Sequence, residues 1–177
     1  YLYLPNLFGT DRTKEILHVN PTLVPERIEP EVSRIFVYDY NADLIEEKQL
    51  TSVSESFSYK GNKRITWINI DGLRKVDTEA ICSFYNIHPL IEEDILSIGQ
   101  RPKMDEVDGV MYCLLNMLYY NNQKKIVEIE QISLVLGTDF VISFQEDASR
   151  DVFDPLRNKL KMARSQIRQR SADYLLY

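Results

Sequence analysis

The chain contains few of the residues that build disulfides, zinc cages and many catalytic sites. Its 177 residues include two cysteines and two histidines. Cys82 and Cys113 lie far apart among apolar residues and have no CxxC neighbour, which predicts reduced, buried thiols rather than a disulfide or a zinc site. His18 and His88 are too few for a histidine-rich metal cage. Because GxSxG, P-loop, GxGxxG and HExxH patterns are also absent, we predict that the protein is not an enzyme.

Long apolar runs and an excess of positive charge are missing as well. No segment approaches the roughly 18 to 20 consecutive apolar residues of a membrane-spanning helix, and no signal-peptide pattern occurs. The formal net charge of -6 argues against a nucleic-acid-binding surface, which needs a strong basic excess. The hydrophobic fraction of 44% is that of an ordinary soluble core, and the length suits one domain. The chain starts at Tyr1 without a methionine and stops at Tyr177 inside a predicted helix, so we expect a piece of a longer protein.

The order of predicted elements indicates an α/β domain. Strand patterns occur at residues 35–39, 50–59, 65–70, 104–120, 126–136 and 140–145. Two helices are predicted in the middle, one that Asp77 caps and that ends near Tyr85, and one from His88 to Ser97 with Pro89 at its first position. Asp154 and Pro155 open a long final helix. This order predicts a mixed parallel and antiparallel sheet covered by helices.

The second predicted helix carries three consecutive carboxylates, Glu92, Glu93 and Asp94. On an ideal helical wheel Asp94 falls within an apolar arc, whereas Glu92 and Glu93 lie outside it. The arc consists of Leu90, Ile91, Ile95 and Ile98. A carboxylate on the buried side of a helix needs a partner, because an unpaired buried charge costs several kcal/mol or becomes protonated.

Two interpretations of these acids remain open from the residues alone. In the first, Glu93 and Asp94 supply oxygen ligands to a weak Mg²⁺ site that another chain completes, since Mg²⁺ needs only one or two carboxylates and keeps several waters. In the second, Glu92 and Glu93 favour the positive end of the helix dipole and Asp94 accepts backbone hydrogen bonds.

The predicted final helix has two stripes with the same spacing. The apolar stripe consists of Leu156, Leu160, Ala163 and Ile167, and the basic stripe one residue later consists of Arg157, Lys161, Arg164 and Arg168. The apolar stripe is typical of a packed face. The basic stripe is either a solvated face or a surface that attracts an acidic partner or an anionic membrane.

Six segments, taken together and in this order, resemble the CorA family of magnesium and cobalt transporters. They are TWINI at 66–70, FYNIHPLIEEDIL at 84–96, QRPK at 100–103, FQE at 144–146, VFDPLR at 152–157 and RSADYLLY at 170–177. The resemblance covers the N-terminal cytoplasmic domain of the family. The family's long stalk helix, its two membrane helices and its Gly-Met-Asn signature do not occur in the sequence.

The resemblance implies an αβα sandwich on the cytoplasmic side of the inner membrane. Residues 1–150 would form the sandwich, with 1–33 as an extended N-terminal segment, and 151–177 would form the basic helix and the start of the long stalk helix. Five subunits would assemble through the full-length protein, whose further helices would attach it to the membrane, whereas this piece would be mostly monomeric.

The resemblance also implies a regulatory divalent-cation site at Asp94 and Glu93. A carboxylate on the stalk helix of a neighbouring subunit would complete the site, with Mg²⁺ as the regulatory and transported ion and Co²⁺ as a possible substitute. We expect this piece alone to bind metal weakly. The alternatives are the cytoplasmic domain of a related zinc transporter and, from a different class, a soluble acidic adaptor domain.

Overall fold

A seven-stranded mixed sheet forms the centre of the molecule. The computed structural model describes residues 29–147 and 152–177, and its sheet has the strand order β2-β1-β3-β7-β6-β5-β4. The strands are β1 (Arg34–Tyr40), β2 (Ile45–Leu50), β3 (Ile65–Asp71), β4 (Lys103–Val107), β5 (Val110–Asn121), β6 (Ile126–Leu136) and β7 (Phe140–Gln145). Strands β3 and β7 pair in parallel, and the other neighbours pair antiparallel. The predicted mixed sheet is therefore confirmed.

Helices cover both faces of the sheet. One face packs against a 3-10 helix (Val53–Tyr59), α1 (Lys75–Tyr85) and α2 (Pro89–Leu96). The other packs against α3 (Asp154–Lys161), a second 3-10 helix (Gln166–Gln169) and α4 (Asp173–Leu176). Side chains alternate along a strand, so Trp67 and Ile68 of β3 enter opposite cores. The predicted αβα sandwich is confirmed.

Within the residues that the structure describes, no helix has the length and apolarity needed to cross a membrane. Most of the predicted extended segment 1–33 lies outside the described residues. The division of the chain at residue 150 stays a prediction.

The strand predicted at 50–59 is wrong, because β2 ends at Leu50 and residues from Val53 to Tyr59 form a 3-10 helix. Two serines hold this turn: Ser56 Oγ donates to the Val53 carbonyl at 2.6 Å, and Ser58 Oγ donates to the Glu55 carbonyl at 3.0 Å. Serine side chains that bond to nearby backbone carbonyls favour such turns over a sheet ladder.

The single strand predicted at 104–120 is also wrong, since it is a hairpin of two strands, β4 and β5. Asp108 and Gly109 form the turn, with φ angles of 53° and 77°. Positive φ at both central residues is characteristic of the type I′ turn, for which Asp-Gly is a favoured pair. The hairpin places β4 at the edge of the sheet, where it pairs with β5.

Asp77 does not cap α1. The helix begins two residues earlier, at Lys75, and Arg74 occupies the N-cap position. Asp77 instead accepts a hydrogen bond from Ser33 Oγ at 2.8 Å and lies 3.7 Å from the Arg74 guanidinium. A carboxylate in the first turn is favoured by the helix dipole wherever the helix starts, so an acid near a helix start does not by itself locate the cap.

The prediction of one long final helix is also wrong. Helix α3 ends at Lys161, and Arg164 takes a positive φ of 67° in the turn that follows. The chain turns there, and as a result Ile167 and Leu175 pack in the hydrophobic core on the α3 side of the sheet.

The two predicted stripes therefore do not form continuous faces. The Arg157 guanidinium is buried 5.8 Å from the rings of Phe36, Tyr38 and Trp67. Arg168 is buried as well, and its Nε donates to the Asn41 carbonyl at 3.0 Å. Both arginines hold the C-terminal helices to the sheet, so neither interpretation of a basic surface stripe applies to them.

Candidate metal site

Helix α2 carries the predicted ligands, and its local sequence fixes where it starts. His88 is the N-cap, and its Nδ1 accepts a hydrogen bond from the Leu90 N–H at 3.1 Å. Pro89 occupies the first turn, where a missing N–H breaks no helical bond. At the other end the Ser97 N–H donates to the Glu93 carbonyl at 2.9 Å. The predicted limits, His88 and Ser97, are thus the two caps of the helix.

A residue of β6 anchors the C-terminal end of α2. Gln131 is 7% exposed, and its Nε2 donates to the Ser97 carbonyl at 2.8 Å and lies 3.5 Å from the Asp94 carbonyl. Sequence reasoning missed Gln131. Its one signal was a polar residue three positions before the continuous apolar run at 134–136.

Asp94 lies at the rim of the buried side of α2 rather than within it. Ile91 and Ile95 are buried, but Leu90 is 61% exposed, so the predicted apolar arc is only partly a packed face. The Asp94 side chain is 21% exposed. Its carboxylate has the partner that the sequence required, but that partner is the ammonium of Lys103 at 2.6 Å rather than a backbone N–H.

Glu93 and Asp94 face a cleft of about 450 Å³ between α2 and β4. The cleft is lined by acidic residues of α2 and β4, by one lysine and by apolar residues: Leu90, Ile91, Glu93, Asp94, Lys103, Asp105, Glu106 and Val107. Asp105 and Glu106 of β4 were not predicted, because only the hairpin brings their strand beside α2. The residues that line the cleft therefore include four acids and one lysine.

Glu92 does not line this cleft. It lies instead close enough to Cys82 of α1 to act on that thiol: burial raises the pKa of Cys82 to about 12, and the negative charge of Glu92 adds to the increase. The structure thus brings Glu93 and Asp94 together and separates Glu92 from them. Both cysteines are free thiols, and Cys82 is buried as predicted, whereas Cys113 is only half-buried.

The chemistry of the cleft fits part of a magnesium site. Its charged donors are carboxylate oxygens, which hard cations such as Mg²⁺ prefer. Within residues 29–147 and 152–177, however, no group of three or more His, Cys, Asp or Glu side chains is placed to hold a metal ion. The described residues therefore offer some of the ligands of such a site, and water or another chain has to supply the others.

Comparison with known proteins finds a matching family model and a similar transport protein. The family model described as "CorA-like Mg2+ transporter protein" matches residues 62–177. The cobalt/magnesium transport protein CorA of Thermotoga maritima is 38% identical over 144 residues, which are 81% of this chain and 41% of that protein. The chain thus spans about two fifths of the length of this relative.

Two solved structures share the fold. The full-length CmaX protein superposes with a TM-score of 0.60 at 12% identity, over 84% of this chain and 44% of that one. The complete CorA magnesium transporter of Methanocaldococcus jannaschii superposes with a TM-score of 0.51 at 12% identity, over 85% and 43% respectively. At such identities these likenesses establish the fold alone.

Proposed function

The chain belongs to the CorA-like Mg²⁺ transporter family, and we propose that it is the cytoplasmic, magnesium-sensing domain of a CorA-type divalent-cation channel. The observation that carries this proposal is the cleft in which Glu93 and Asp94 of α2 meet the acidic residues of β4. The proposal includes a homopentamer in the inner membrane, Mg²⁺ as the sensed and transported ion, and Co²⁺ as a second substrate. In this role the domain regulates transport and catalyses no reaction.

The proposed mechanism is electrostatic. Asp94 and Glu93 face a carboxylate of the neighbouring subunit, and these like charges, of which Lys103 offsets only one, repel each other while no metal ion lies between them. When Mg²⁺ is abundant, its binding removes the repulsion and favours a closed arrangement of the subunits; when Mg²⁺ is scarce, the interface loosens. The shift requires that the closed state bind the ion more tightly than the open state.

An exposed apolar side chain beside the cleft supports an interface at this place. Leu90, one helical turn before Asp94, is 61% exposed. A neighbouring subunit that covered Leu90 would remove its apolar surface from water and would bring a further ligand to the cleft.

The ligand chemistry supports magnesium over zinc. The lining of the cleft includes carboxylates but neither cysteine nor histidine. Zinc sites in proteins are built mainly from cysteine sulfur and histidine nitrogen, whereas Mg²⁺ takes oxygen ligands and retains waters. This donor set argues against the zinc-transporter alternative.

The experiment is a Mg²⁺ titration of the 177-residue chain followed by ¹H–¹⁵N NMR. We expect weak, saturable binding that shifts the amide resonances of Glu93, Asp94 and the residues of β4. Asp94→Asn removes one ligand charge and should abolish the saturable shifts, while the exposed loop variant Asp43→Asn should leave them unchanged. Equal Mg²⁺ affinity in Asp94→Asn and the unmodified chain would refute the assignment, and submicromolar affinity would contradict a site that is completed by another subunit.

A further inference from the structure

An ammonium group already occupies the carboxylate that is proposed to bind the divalent cation. Lys103 Nζ lies 2.6 Å from Asp94 Oδ2, the distance of a strong charge-assisted hydrogen bond. The two side chains are 33% and 21% exposed, so the pair is partly shielded from solvent. Asp94 therefore carries a counter-ion that belongs to the chain itself.

The position of Lys103 suits a counter-ion that can leave. Lys103 is the first residue of β4, which lies at the edge of the sheet. Its ammonium is a compact charge on a flexible four-carbon stem, and it can turn towards solvent without a change in the backbone. Asp94, in contrast, is fixed on α2 between the buried side chains of Ile91 and Ile95, and Gln131 holds the end of the helix.

We propose that Lys103 is a tethered competing cation that lowers the affinity of the Asp94 site and restricts the site to divalent ions. This inference rests on the proposed function, because it concerns the same carboxylate. A monovalent ion that displaced the ammonium would replace one unit charge by another and would lose a short hydrogen bond. A divalent ion brings twice the charge, so its attraction to the carboxylates of the cleft is about double at the same distance.

The consequence is a threshold for magnesium. The ion has to displace the Lys103 ammonium from Asp94 and then remain near that positive charge, and both requirements weaken binding. A site whose carboxylate is paired with a lysine stays empty at low Mg²⁺ concentration and does not bind K⁺ or Na⁺. These properties suit a sensor of an abundant divalent ion.

The test is a Mg²⁺ titration of the 177-residue chain and its lysine variants, monitored by NMR. Lys103→Met keeps the length of the apolar stem and removes the charge; it should raise Mg²⁺ affinity about tenfold, which corresponds to about 1.4 kcal/mol. Lys103→Arg keeps the charge and can hold the carboxylate with two hydrogen bonds, so its affinity should equal that of the unmodified chain or be lower. The matched control Lys124→Met removes another ion-paired lysine, one that pairs with Glu128 away from the cleft, and should leave the affinity unchanged.

A second arm measures selectivity. Added KCl should compete with Mg²⁺ more strongly in Lys103→Met than in the unmodified chain at equal ionic strength set with a bulky organic cation. Lys103→Gln repeats both measurements should the methionine variant fold poorly.

The outcomes separate this inference from the proposed function. If Asp94→Asn abolishes binding but Lys103→Met binds Mg²⁺ no more tightly than the unmodified chain, Lys103 is not a competitor and the inference is wrong. If Lys103→Met binds less tightly, the lysine positions Asp94 instead, and the inference is wrong as well. If Asp94→Asn has no effect on binding, the proposed function itself fails.

Discussion

Asp39 and Asp94 illustrate two uses of a carboxylate at the scale of single residues. Asp39 is 1% exposed and accepts hydrogen bonds from Asn62, Arg64 and Thr66 at 2.9 to 3.0 Å. Three hydrogen-bond donors of the same chain therefore stabilise its negative charge. Asp94 is more exposed, and within the described residues its carboxylate pairs with Lys103. Asp39 thus serves stability, whereas Asp94 is proposed to exchange its partner for a cation.

The first residue-scale prediction concerns stability. Asp39→Ala leaves the Arg64 guanidinium and the Thr66 hydroxyl without their acceptor in a largely buried place. Removal of one partner of a buried ion pair costs about 3 to 5 kcal/mol, and we expect the lower end of this range because Arg64 is 31% exposed. Urea denaturation measures the change in the free energy of unfolding.

The control for this prediction is Asp43→Ala in the exposed loop that follows β1. A surface substitution of this kind changes stability by about 0.5 kcal/mol or less. An Asp39→Ala variant as stable as Asp43→Ala would show that the three hydrogen bonds contribute little.

The sequence predicted that Asp94 needs a partner but not which residue supplies it. Lys103 lies nine residues further along the chain, beyond the end of α2 and on another element. A helical wheel considers α2 alone, so it cannot show that a β-hairpin lies beside the helix. Asp105, Glu106 and Gln131 escaped prediction for the same reason, since each meets α2 only through the sheet.

Elements were predictable where a local signal decided them. Pro89 and the acids after it located α2, and runs rich in β-branched and aromatic residues located β1, β3, β6 and β7 within a residue or two of their ends. The Asp108-Gly109 turn was also a local signal, and it was missed because the apolar residues on either side suggested a single continuous strand. The length of α3 was not decided locally, because the chain turns after Lys161 to bury Ile167 and Leu175.

The prediction at the scale of elements concerns the N-cap of α2. His88→Ala removes the acceptor of the Leu90 N–H and should lower the free energy of unfolding by about 1 kcal/mol. His88→Asp restores an acceptor and adds a negative charge at the positive end of the helix dipole, so its stability should match or exceed that of the unmodified chain. Urea denaturation of the three proteins side by side measures both differences, and equal losses in the two variants would exclude the cap as the cause.

At the scale of the whole molecule, the order of elements predicted the class of fold but not the order of strands. The parallel pairing of β3 with β7 joins residues 66–71 to 140–145 across the centre of the sheet. No local pattern specifies a contact between segments so distant in the sequence. The resemblance to CorA implied the sandwich, and the helices on both faces of the sheet agree with it.

The same arrangement explains why the proposed site is partial. The sheet and α2 bring Glu93, Asp94, Asp105 and Glu106 to one cleft, but the described residues do not enclose an ion. A half-site suits a sensor that acts between subunits, because only an assembled interface then binds the ion tightly.

The measurement that tests the central claim most directly is magnesium transport by a chimaera. The chimaera carries this chain in place of the matching region of the Thermotoga maritima CorA protein and is reconstituted in liposomes. We predict that Mg²⁺ on the domain's side inhibits uptake, that Asp94→Ala strongly reduces this inhibition, and that Asp43→Ala leaves it unchanged. Inhibition of the Asp94→Ala chimaera at the same Mg²⁺ concentration as the unmodified chimaera would contradict the account.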